Sequence, residues 1–141
     1  MSVNLNIIMP NNYGFAHNEK FVSQLIGNIK NLNFKNSLNH DGSIDNSPFE
    51  FYLESRPTHI NDLSYYKFIE IETPTPYSFF VTEKGISIST IYKYSIISEN
   101  YKTSWFKDFR NDILKIADLF NATEWFYMAD NLSKISILKQ I

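Results

Sequence analysis

The stretch Thr103–Asp130, TSWFKDFRNDILKIADLFNATEWFYMAD, decides the fold. With successive residues about 100° apart, Trp105, Phe106, Phe109, Ile113, Ile116, Ala117 and Phe120 fall into one apolar stripe about 120° wide. A stripe of that breadth has to be covered by apolar surface, which predicts an amphipathic helix over 104–121. Asn121 stands where helices commonly close with a left-handed residue. Thr123–Met128 (TEWFYM) then has the aromatic density of a strand covered on at least one face. Helix and strand are expected to share one core, with Trp105, Phe109, Phe120, Trp125 and Phe126 engaged in packing.

Toward the N-terminus the pattern alternates between strand and helix. Val3–Met9 (VNLNIIM) reads as a short central strand that Pro10, Asn11 and Asn12 bring to an end. Over 18–32, Phe21, Val22, Leu25, Ile26, Ile29 and Leu32 share about 140° of a helical wheel, with Asn18 as N-cap and Glu19 placed against the helix dipole. A polar loop over 33–48 contains the turn signal HDGS. Phe49–Glu54 (FEFYLE) and Tyr66–Glu72 (YKFIEIE) read as half-buried strands. Because strand residues two apart face the same way, Glu50 with Glu54, and Glu70 with Glu72, are predicted to project outward. Antiparallel pairing of these strands would merge them into one acidic surface.

After the break at Pro74 and Pro76, Tyr77–Thr82 (YSFFVT) and Ile86–Tyr92 (ISISTIY) read as a hairpin, with Gly85 expected to supply a positive φ. A short final helix is predicted through Leu132, Ile135 and Leu138. The fold expected is therefore a single α+β domain over residues 1–141. It has a mainly antiparallel or mixed sheet of five or six strands, with two principal amphipathic helices packed on it.

Charge is distributed unevenly. Residues 1–40 carry a net +2, residues 41–83 carry eight acidic against two basic groups for a net −6, and residues 84–141 carry a net +2. An acidic middle is unsuited to a phosphate backbone and suited to a basic partner, so no nucleic acid is expected to bind. The 141 residues include no cysteine, which excludes disulfides, thiolate metal sites and a cysteine nucleophile, and suits a reducing compartment. The N-terminus is read as lacking a signal peptide, and no stretch has the apolar length of a membrane span. A cytoplasmic protein is expected.

Motifs for chemistry are few. His17, His40 and His59 fall in loops rich in Asn, Pro or Gly and match no catalytic spacing. The four glycines form neither a dinucleotide-binding nor a phosphate-binding loop, and neither a zinc nor a calcium pattern occurs. Catalytic residues, cofactors and metals are accordingly not assigned. The residues assigned to partner binding are Asp41, Asp45, Glu50, Glu54, Asp62, Tyr65, Tyr66, Glu70, Glu72 and Tyr77. In that set the carboxylates provide charge and the tyrosines provide apolar contact. Thr58–Asp62 (THIND), in the loop between the acidic strands, is a further source of polar contacts.

The helix–turn–strand block FKDFRNDILKIADLFNATEWFYMAD, taken with the opening strand NLNIIMPNN, resembles the small immunity proteins encoded beside bacterial contact-dependent inhibition and other polymorphic toxins. The resemblance implies a cytoplasmic, non-enzymatic monomer that neutralises one cognate toxin by binding at or near its active site. Many such toxins are basic nucleases, including ribonucleases, which agrees with the acidic middle of the chain. Two other readings are a small histidine-dependent hydrolase or nuclease, and a self-associating phage or structural interaction module.

Overall fold

The computed structural model of the chain describes residues 4–34, 49–57, 65–93, 104–129 and 135–136. In chain order the elements are β1 (Asn4–Pro10), α1 (Glu19–Lys30), β2 (Glu50–Pro57), β3 (Tyr65–Glu72), β4 (Tyr77–Thr82), β5 (Gly85–Lys93), α2 (Ser104–Leu119), β6 (Phe126–Ala129) and β7 (Ile135–Ser136). The strands form one sheet in the order β2-β3-β4-β5-β1-β6-β7, and every adjacent pair is antiparallel. The fold is α+β, as the sequence predicts. Of the short final helix predicted through Leu132, Ile135 and Leu138, Leu132 and Leu138 lie outside the described residues, while Ile135 and Ser136 instead pair with Met128 and Tyr127 and extend the sheet by one strand. Pairing there satisfies backbone groups that β6 would otherwise present at an edge.

Strand register explains where the core lies. Leu5, Ile7 and Met9 alternate inward on β1 and line up with Ile88 and Ile86 on β5 and with Tyr127 on β6. Phe79 and Val81 on β4 continue the row toward Ile71 and Ile69 on β3. Val22, Leu25 and Ile29 from α1, and Phe106, Phe109, Ile113, Ile116, Ala117 and Phe120 from α2, belong to the same buried cluster. Both helices therefore lie on one face of the sheet, and burial of their stripes is the main force holding the two layers together. Trp125 and Tyr127 join this core, whereas Phe126 alternates to the opposite face beside Ile8 and is half-buried. The side chain of Trp105 lies outside the described residues.

The helix ends follow local chemistry. Asn18 caps α1, its side-chain oxygen accepting the Phe21 N–H at 2.8 Å. Asn121 adopts φ 55°, and the Ala122 and Asn121 N–H groups donate to the Ala117 and Asp118 carbonyls, which closes α2 with paired reverse bonds. Asn12 ties that end to the first loop, because its N–H donates to the Phe120 carbonyl at 2.9 Å.

The β4–β5 hairpin departs from expectation. Gly85 does not take a positive φ; the turn is closed by Thr82, whose hydroxyl accepts from the Gly85 N–H at 3.1 Å and donates to the Gly85 carbonyl at 2.9 Å. Glycine is suited to this position for another reason: an added Cβ would lie 3.3 Å from the Met9 carbonyl oxygen on β1. Among the described residues, no helix is long and apolar enough to cross a membrane.

Candidate protein-docking surface

β2 and β3 pair residue for residue from Glu50↔Glu72 to Pro57↔Tyr65 with no bulge. That register places Phe51 opposite Ile71 and Leu53 opposite Ile69 on the helix-covered side. Glu50, Tyr52 and Glu54 consequently face the other way, together with Phe68, Glu70 and Glu72. Glu50, Glu54 and Glu72 are exposed, Glu70 is half-buried, and Tyr52 is 45% exposed. The predicted acidic surface is thus assembled by the strand register.

The electrostatics of the patch are unfavourable to itself. Glu50 sits directly across from Glu72, and like charges so placed weaken a strand pair. Tyr52 lies opposite Glu70, and its hydroxyl is 3.4 Å from Glu50 Oε2. The Glu50 carboxylate, and after it Glu72, push the Tyr52 phenol above its ordinary range. None of the four glutamates makes an ion pair among the described residues. One end of the patch is apolar: Phe68, 1% exposed, stacks on Phe80 with centroids 4.4 Å apart and planes 24° from parallel. An exposed tyrosine ringed by carboxylates can bind a basic, partly apolar surface by charge pairing and by ring contact.

The remaining assigned residues divide into two groups. Asp41, Asp45 and Asp62, and the loop Thr58–Asp62, lie outside the described residues. Tyr65 and Tyr66 occupy β3 opposite Pro57 and Arg56, with side chains outside the described residues.

Tyr77 has to be withdrawn from the surface. It is fully buried, its ring packs edge-on against Phe34 at 5.0 Å, and its hydroxyl donates to Asp112 Oδ2 at 2.7 Å. The reason is strand parity: Tyr77, Phe79 and Val81 share the inward face of β4. Burial, reinforced by the Asp112 carboxylate, drives the Tyr77 phenol far above its ordinary range. Tyr52 takes its place at the surface. The signal for it was present in FEFYLE, where it alternates in phase with Glu50 and Glu54.

Of the histidines, His17 is half-buried in the β1–α1 loop with its ring 6.3 Å from that of Phe15; His40 and His59 lie outside the described residues. No group of three or more His, Asp or Glu side chains suited to a metal ion occurs among the described residues. No family model matches this sequence, and no curated protein or solved structure matches it.

Proposed function

We propose that this chain is an immunity protein: a cytoplasmic, non-enzymatic binder that neutralises one cognate toxin domain, of basic nuclease type, by covering its active site. The observation that carries the reading is the strip of Glu50, Tyr52, Glu54, Glu70 and Glu72, exposed except for the half-buried Glu70, on the face of β2 and β3 opposite α1 and α2. A basic nuclease concentrates Lys and Arg where it holds the phosphate backbone, and an acidic protein surface competes for the same groups. Charge complementarity speeds encounter, and Tyr52 provides the contact that slows release. The resemblance of the C-terminal block to immunity proteins points the same way.

The test is to co-express the chain with the C-terminal domain of a large secreted protein encoded immediately upstream. Rescue of growth and a co-purifying complex are expected. Unabated toxicity with no complex would overturn the proposal.

A further inference from the structure

Among the described residues, β2 is the outermost strand on its side of the sheet. Its backbone pairs only with β3, so among the described residues the row of N–H and C=O groups on its other side has no backbone partner. Such a row is a template for another strand. Two features of β2 specify what that strand must look like. On the helix side, Phe51 and Leu53 pack against the core yet stay half-buried, and among the described residues no further strand flanks them. On the open side, Glu50 and Glu54 are exposed in the same phase.

We propose that β2 accepts an extended segment of a basic protein partner as an eighth strand. In that segment basic residues alternate with apolar ones: Lys or Arg stands beside Glu50 and Glu54, and the intervening apolar side chains cover Phe51 and Leu53. The inference rests on the reading of the partner as a basic protein and adds how that partner is held. A second copy of this chain is the poorer occupant. Its own Glu50 and Glu54 would join a face that already carries Glu70 and Glu72, and like charges on adjoining strands repel. Main-chain bonds would provide affinity at this edge, while the alternation would provide specificity.

The experiment uses the full chain, labelled for amide NMR, and two synthetic peptides of equal composition. One alternates lysine and valine; the other carries its lysines and valines in separate blocks. The alternating peptide is expected to give saturable shifts on β2 and to slow exchange of every second β2 amide by about tenfold or more, as a newly formed ladder does. The block peptide is expected to shift the glutamates without protecting the backbone. In Glu50→Lys/Glu54→Lys the preference should move to a peptide alternating glutamate and valine.

Equal behaviour of the two lysine peptides, with no β2 protection, overturns the proposal. So does concentration-dependent protection of β2 in the free protein, which would assign the edge to a second copy. No toxin enters these measurements, so protection by the alternating peptide alongside failed growth rescue would overturn the immunity reading alone. A neutralising complex that leaves β2 amides unprotected would overturn the strand alone.

Discussion

At the scale of single residues, Tyr77 and Tyr52 show how one residue type acquires opposite roles. Tyr77 is inside, and its hydroxyl satisfies a carboxyl oxygen of the 1% exposed Asp112. Tyr77→Phe is expected to cost about 1–3 kcal/mol in chemical denaturation, since it strips a donor from a buried carboxylate. The pH dependence has a definite sign. The folded-state pKa of Tyr77 is raised by burial above the unfolded value, near 10 for a free tyrosine, so its contribution is complete below that pH. Above about pH 10 the unfolded chain ionises and the folded one does not, which removes about 1.4 kcal/mol per pH unit. Tyr77→Phe should make the alkaline loss of stability shallower by that slope; an identical alkaline profile would place the phenol in solvent. Tyr52 is governed by neighbouring charge. Glu50→Gln is expected to lower its pKa toward the ordinary value, read by ultraviolet titration of the phenolate, and an unchanged titration would mean that the carboxylates do not cluster. Neither role follows from the residue type. The two prolines before Tyr77 suggest a surface break, and only the phase of YSFFVT sends the ring inward. Its partner Asp112, 35 residues away on a helix wheel, has no local signature.

At the scale of elements, periodicity made most of the fold readable, and contacts between distant segments account for what was missed. The stripe from Phe106 to Phe120 is buried as predicted, and Asn18 and Asn121 act as the caps their positions suggest. Asn121→Ala is expected to destabilise by part of the about 1–2 kcal/mol that a left-handed backbone costs an L residue, because alanine lacks the polar side chain that eases this conformation for asparagine, while Asn121→Gly, with no Cβ at all, should retain full stability by thermal denaturation. Gly85 was misread because a two-residue hairpin usually needs a positive φ; here the Thr82 hydroxyl closes the turn and the glycine makes room for β1. The last strand was misread because Ile135 suits a helical stripe and a sheet edge equally, and its choice depends on β6. The acidic surface was legible at Glu50, Glu54, Glu70 and Glu72 because it depends only on strand phase. It also carries an energetic signature. Glu72→Lys turns the opposed pair with Glu50 into an attractive one, and should stabilise the fold by about 0.2–1 kcal/mol while weakening partner binding. Loss of stability in that variant would mean that the two side chains do not face each other.

At the scale of the molecule, the two faces of the sheet divide the work. One is consumed by α1 and α2 and holds a single buried cluster. The other presents the acidic strip on β2 and β3 at the margin of the sheet, next to a strand edge with no backbone partner among the described residues. The C-terminal block organises the fold from the other side: α2 packs on Tyr77 of β4, Tyr92 of β5 and Tyr127 of β6, in one buried cluster with Ile69 and Ile71 of β3, whose neighbours in the strand, Glu70 and Glu72, therefore alternate to the opposite face. The central claim is that this strip draws in a basic toxin domain. The most direct measurement is stopped-flow association with the C-terminal domain of a large secreted protein encoded immediately upstream, across a range of ionic strength, for the native chain and for Glu50→Gln/Glu54→Gln/Glu70→Gln/Glu72→Gln. The native chain should associate with a rate that falls steeply with salt, and the neutralised variant, still folded, should associate about tenfold or more slowly at low salt and lose most of that dependence. Equal rates with equal salt dependence would contradict the account.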